Sequence, residues 1–147
     1  MRFSDFYPGQ VITLGPVALT EEQIVAFARQ YDPQWFHTDR ERAAASRWGG
    51  LIASGWQTCA VAMRLACDHV LAGSESIGSP GLAYLKWPAP VRPGEPLTLN
   101  IEVLEVRRST SRPDLGVVRW RWNLRHADGR VALDLEATSL FDLSAVR

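Results

Sequence analysis

Cysteine and histidine are scarce in this chain, and an excess of either charge is absent. Its 147 residues include two Cys and three His. With no close Cys/His grouping, no spacing typical of a metal site can be drawn, and no metal ligand is expected. Cys59 and Cys67 fall eight apart on one apolar stretch. On a helix that is about 12 Å of rise, too far for a mutual disulfide. They are expected as free, buried thiols, as suits a reducing compartment. Lys and Arg total 16 against 16 Asp and Glu, so no overall field draws the chain to nucleic acid or to an anionic membrane. Any anionic ligand must be met by local charge.

Long uninterrupted apolar runs are missing too. The stretch Leu51 to Leu71 is broken by Ser54, Gln57, Arg64, Asp68 and His69, which argues against a membrane span and for a buried helix. The opening residues Met-Arg-Phe-Ser-Asp-Phe-Tyr lack the apolar core and small-residue cleavage site of a secretory signal. The expected setting is cytoplasmic. No internal repeat or low-complexity segment is visible.

What is present is a core. A hydrophobic content of 46% over 147 residues suffices for one well-buried domain and is short for two, so residues 1–147 are expected to form a single domain. Val11, Ile12 and Leu14, then Val17 to Leu19 after Gly15-Pro16, suggest an edge strand. Thr20 followed by Gln23 has the capping-box form, and Ile24, Phe27, Ala28 and Tyr31 recur at helical spacing, predicting a helix over 21–31. Pro33 disfavours a helical Asp32, so an irregular segment over 32–37 follows. Thr38 with Glu41 predicts a second capped helix ending near Ser46. Ser54 with Gln57 predicts a third, apolar on most faces from Trp56 to Leu71 and closed by Gly73.

Residues 74–81, rich in Ser and Gly, read as a loop. Strands are predicted over Leu82 to Trp87, Leu97 to Val106, Gly116 to His126 and Val131 to Phe141. Val118, Trp120, Trp122 and Leu124 alternate with Arg119, Arg121 and Asn123, so one face of that strand is buried. Ala127-Asp128-Gly129 is a hairpin signal that makes the last two strands antiparallel. The pattern amounts to an α+β layer with a mostly antiparallel sheet around a long helix.

Tyr31-Asp32-Pro33-Gln34-Trp35-Phe36-His37 sets a carboxylate and an imidazole five residues apart across a Pro-interrupted turn. Such a turn can aim both groups at one point. A carboxylate can take a proton from water and a histidine titrates near neutral pH, so together they suit proton transfer without a covalent nucleophile. On spacing alone, a turn Asp and a hydrogen-bonded structural His explain the residues equally well.

The stretch from Phe27 to Gly55 resembles the signature of MaoC-like dehydratases, the second type of (R)-specific enoyl-CoA hydratases, in which an Asp and a His flank an Asn-Pro pair ahead of a helix. Asp32 and His37 fall at the acid and histidine positions, Asp39 and Ala43 match the following helix, and Gly49 to Gly55 resembles the family's Gly-rich entry to its central helix. Trp87, Pro90, Val91 and Gly94 match a second strand-turn pattern. Gln34-Trp35 replaces the Asn-Pro, Tyr31 replaces a Gly, and Met63 stands where some relatives carry a polar residue such as Ser.

The resemblance implies the hotdog fold, with the sheet wrapped around a central helix. It further implies a hydro-lyase that reversibly hydrates a 2-enoyl-CoA to a 3-hydroxyacyl-CoA, with no cofactor beyond the coenzyme A of the substrate. Asp32 and His37 would hold the water, and backbone N–H groups at Gly55 and Trp56 would face the developing enolate oxygen. Gly55 would also admit a ligand closely, and Gln34 would orient the pair. Gln34, Ser54, Trp56 and Trp87 are the expected substrate-binding residues. A plain loop and tight helix entry explain the glycines as well, and Trp48 and Trp56 read as core or interface packing as readily as pocket walls.

Arg107, Arg108 and Arg112, with Lys86 and Arg92, are candidates for coenzyme A phosphates. His69 and His126 are read as structural. A hotdog thioesterase is the first alternative, although such enzymes usually carry their carboxylate on the central helix, where only Asp68 is acidic. A non-catalytic acyl-CoA-binding subunit is the second. A single layer leaves a sheet edge and part of the helix uncovered, so a homodimer sharing the substrate tunnel is expected.

Overall fold

A computed structural model describes residues 1–145. A 3-10 turn, Phe3–Asp5, leads into strand β1, Val11–Val17. Helices α1, Glu21–Tyr31, α2, Trp35–Thr38, and α3, Arg40–Ala44, precede the central helix α4, Gly55–Ala66, which ends in a π-helical turn, Cys67–Leu71. Four strands complete the fold: β2, Ser76–Lys86; β3, Leu97–Arg108; β4, Leu115–His126; and β5, Val131–Asp142. They form one antiparallel sheet in the order β1-β3-β4-β5-β2. This is the hotdog arrangement.

Alternation builds the core. Leu97, Leu99, Ile101 and Val103 on β3, Val118, Trp120 and Leu124 on β4, and Leu133 and Phe141 on β5 are buried and face Ala62, Leu65, Ala66 and Val70 of the helical layer. The opposite sheet face carries charge. Arg119 pairs with Glu136 at 3.1 Å, and Arg121 makes two 3.0 Å bonds to Asp134. The 127–129 hairpin forms as expected, with the His126 N–H donating to the Arg130 carbonyl at 2.9 Å. Thr20 and Gln23 form the predicted reciprocal cap.

Four local expectations are corrected. Residues 76–81 are strand, because the glycines that suggested a loop sit at bulges: Gly78 and Gly81 have φ of 141° and 152°, and the register to β5 shifts there. Residues 35–38 make a helical turn, since Pro33 restrains only the residue before it. The cap of α3 is Asp39, which accepts from the Arg42 N–H at 3.0 Å, while the Thr38 hydroxyl donates back to the Gln34 carbonyl. Finally, α4 is sheathed on one side only. Trp56 is 59% and Met63 43% exposed, so its apolar outer face is open in the single chain, and the Cys59 and Cys67 thiols are half-buried.

Candidate active site

The ends of three short segments meet at one carboxylate. Asp32 closes α1, its N–H donating to the Ala28 carbonyl at 2.8 Å, and Pro33 turns the chain so that α2 brings His37 back toward it. His37 Nε2 lies 3.1 Å from Asp32 Oδ2. Gln34 Nε2 donates to Oδ1 at 2.8 Å, and the Ser54 hydroxyl donates to Oδ2 at 2.7 Å. The side chains of His37 and Asp32 are 5% and 16% exposed.

The segment entering α4 fixes this geometry from behind. The Ile52 carbonyl takes a 2.6 Å hydrogen bond from His37 Nδ1, so Nδ1 carries a proton. The Ile52 N–H in turn donates to the Phe36 carbonyl, and the Ala53 N–H to the Val91 carbonyl. The Phe36 ring packs edge-on against the imidazole, 4.4 Å between centroids. With Nδ1 committed, only Nε2 faces Asp32. Either Nε2–H donates to a carboxylate or a carboxylic acid donates to a bare Nε2, and one proton lies between the two groups in both cases. Burial, the largest single influence on Asp32, pushes its carboxyl up. The donors Gln34 and Ser54 and the His37 charge together outweigh burial, and the group sits below the usual carboxylate value.

The pair opens into a cleft of about 390 Å³ lined by Asp32, Gln34, His37, Gly55, Trp56 and Trp87 among others. Six of the seven residues expected at the site therefore share one cavity. Ser54 stands behind the carboxylate, fully buried, with its hydroxyl on Asp32. The closeness permitted by Gly55 is taken up by protein: a Cβ there would lie 2.5 Å from the Trp87 indole. Neither the Gly55 nor the Trp56 N–H has a hydrogen-bond partner among the described residues. Trp48 and Trp56, readable as packing residues, stand in the cleft wall. Phe36, Thr58 and the Ile52 carbonyl also belong to the site. The Ile52 carbonyl gave no signal in the sequence, because a backbone acceptor has no residue type to read.

A second, apolar groove of about 490 Å³ runs between α4 and strands β2 and β5. Trp56 belongs to both cavities, and its ring meets Trp87 edge-to-face at 5.1 Å.

The proposed cations divide. Arg107 and Arg108 end β3, eleven residues along the strand from Leu97, or roughly 35 Å at the usual rise. The cleft lies near the other end of the sheet, by Val91 and Ala132, so the Arg107, Arg108 and Arg112 cluster is far from the cleft of its own chain. Arg107 and Arg112 pair instead with Glu105 and Asp114. Lys86 lies over the Tyr84 ring. Arg92 stays beside the cleft, its guanidinium on the Trp48 carbonyl. His126 is buried and its Nε2 lies 3.0 Å from the Pro90 carbonyl, while His69 is exposed. Among the described residues, no three His, Cys, Asp or Glu side chains cluster in a way that could hold a metal ion. No helix among them is long and apolar enough to cross a membrane.

Comparison with known proteins identifies the family and the fold. An uncharacterized protein of Bacillus subtilis, YdeM, is 31% identical over 118 residues, covering 80% of this chain and 82% of its own. The solved structure of a MaoC-like dehydratase from Rhodospirillum rubrum superposes with a TM-score of 0.85 at 35% identity, over 95% of this chain and 94% of that one. The 3-hydroxyacyl-thioester dehydratase Z of Mycobacterium tuberculosis is 39% identical over 80 residues, about half of each chain (53% and 53%). Residues 5–119 match the model of the MaoC like domain, and the chain belongs to that family.

Proposed function

We propose that this protein is a hydro-lyase that reversibly adds water to the 2,3-double bond of an enoyl-CoA thioester. The observation that carries this reading is the 3.1 Å contact between Asp32 and His37, in a cleft that ends at the N-terminus of a helix. The kinship with a named 3-hydroxyacyl-thioester dehydratase supports the same reaction class.

The roles follow from the hydrogen bonds. Gln34 and Ser54 favour the Asp32 carboxylate, which makes it the base that takes a proton from water as the oxygen bonds to C3. The π electrons move onto the thioester as an enolate. The unpartnered N–H groups of Gly55 and Trp56, at the positive end of α4, supply fixed donors for that oxygen. Nε2–H of His37 then protonates C2. One turnover leaves Asp32 protonated and Nε2 bare. Their direct contact lets the proton return from Oδ2 to Nε2, which resets the pair.

Arg92, beside the mouth of the cleft, is a cation for a coenzyme A phosphate. The chemistry asks for no other cofactor. The free edge of β2 and the exposed Trp56, Met63, Ile77 and Leu82 support a homodimer through this face.

The test is a panel of enoyl-CoA thioesters of graded length and branching, followed by loss of the conjugated-enoyl absorbance and by mass of the product. A product heavier by one water supports the reading. Free thiol release marks a thioesterase instead, and tight binding without turnover marks a non-catalytic subunit. Asp68, the acidic residue near the end of the central helix, pairs with Arg64 at 2.9 Å and is absent from the cleft lining, which argues against a thioesterase of the helix-carboxylate kind.

A further inference from the structure

We infer that Ser54 is a positioning residue for the Asp32 carboxylate, diverted to it from the helix-capping role that its place in the sequence suggests. The inference rests on the hydratase reading for its kinetic part only.

A serine directly before a helix ordinarily accepts a hydrogen bond from the second or third N–H of that helix, and a Gln three residues on returns one to the serine N–H. Ser54 and Gln57 have this spacing and do neither. Ser54 makes no side-chain cap. Its hydroxyl, fully buried, gives its one hydrogen to Asp32 Oδ2 at 2.7 Å. The Gln57 amide donates to the Gln23 carbonyl on α1 at 3.0 Å. The Ser54 carbonyl takes the N–H groups of Gln57 and Thr58.

Two consequences follow. The N–H of Trp56, one of the two that a capping hydroxyl can take, is left without a partner among the described residues. Asp32 Oδ2, the oxygen that meets His37, gains a buried donor that water cannot replace. That donor favours the ionised form, in line with the lowered carboxyl of Asp32. Ile52 and Ser54 thus hold the two members of the pair from one extended segment, Ile52 through its carbonyl on His37 and Ser54 through its hydroxyl on Asp32. Removing the hydroxyl costs the helix no cap, so its effect should appear in proton chemistry rather than in helix stability.

The experiment compares the full chain with Ser54→Ala and Ser54→Gly, which both lack the hydroxyl, and with Ser54→Thr, which keeps one. The Asp32 carboxyl carbon is titrated by NMR, and kcat and kcat/KM are measured against pH. Loss of the hydroxyl is expected to raise the Asp32 midpoint and carry the acid limb of kcat/KM upward with it. It should lower kcat roughly 10- to 100-fold, the scale of one hydrogen bond to a charged group. Thr is expected to keep the wild-type midpoint. An unchanged Asp32 midpoint in both hydroxyl-free variants overturns the inference, as does a loss of kcat with no movement of the acid limb. Absence of hydration by the wild-type protein overturns the reaction assignment instead, while the NMR titration still decides what Ser54 does to Asp32.

Discussion

The Trp87 indole lies across Gly55 so closely that a Cβ at Gly55 would sit 2.5 Å from Cε2, 2.8 Å from Cδ2 and 2.9 Å from Nε1. The glycine is not demanded by its backbone angles, since its φ is not in the left-handed region. It is demanded by its neighbour, a rigid ring that forms one wall of the cleft and braces Trp56.

Gly55→Ala is therefore expected to displace the indole, costing about 1–3 kcal/mol in denaturant unfolding, the usual scale of overpacking, together with most of the activity. In a Trp87→Ala background the same Gly55→Ala change should cost little further stability, while the activity stays lost. Additive losses in the double variant would show that the two residues do not contact.

Asp134 tests the outer face of the sheet. Arg121 is the main cause that holds its carboxyl below the usual value, with burial opposing and Tyr84 and Asn123 assisting. A carboxyl depressed by folding contributes stability that is fully present above its unfolded pKa, near 3.8, and lost as pH falls through the folded value. Asp134→Ala should cost about 1–3 kcal/mol at neutral pH, the scale of lost bonds to a charged group. The difference from wild type should shrink as pH falls below about 4, where the unfolded chain begins to take up the proton, and vanish below the lower folded value. Unfolding curves at several pH values check this, and a constant difference would contradict it.

Much of this frame was legible because alternation is a strong signal. Val118, Trp120 and Leu124 face the core as the period-2 pattern required. Asp32 and His37 were a weak signal by spacing alone and a stronger one through the resemblance, and in the structure their side chains meet at 3.1 Å. What sequence hid was the use of ambiguous signals. Gly78 and Gly81 mark bulges inside β2 rather than a loop. Ser54 has the form of a cap and serves a carboxylate. The openness of α4 was hidden by its composition, since an apolar helix face reads the same whether its own sheet or a second copy covers it.

That open face gives a prediction about assembly. Leu82 on β2 is 48% exposed and lines the apolar groove with Met63 and Trp56. Sedimentation velocity should find a two-chain species for the wild type, and Leu82→Asp should shift it toward single chains by setting a charge in an apolar contact. A wild-type chain that sediments as a monomer at every concentration would contradict the dimer.

The central claim is that Asp32 and His37 together move the protons of a hydration. The most direct measurement is the turnover of Asp32→Asn and His37→Ala on an enoyl-CoA that the wild type hydrates, with folding confirmed by circular dichroism. Each variant is predicted to lose 100-fold or more, the scale of a missing general acid or base. Full activity in both folded variants would contradict the account.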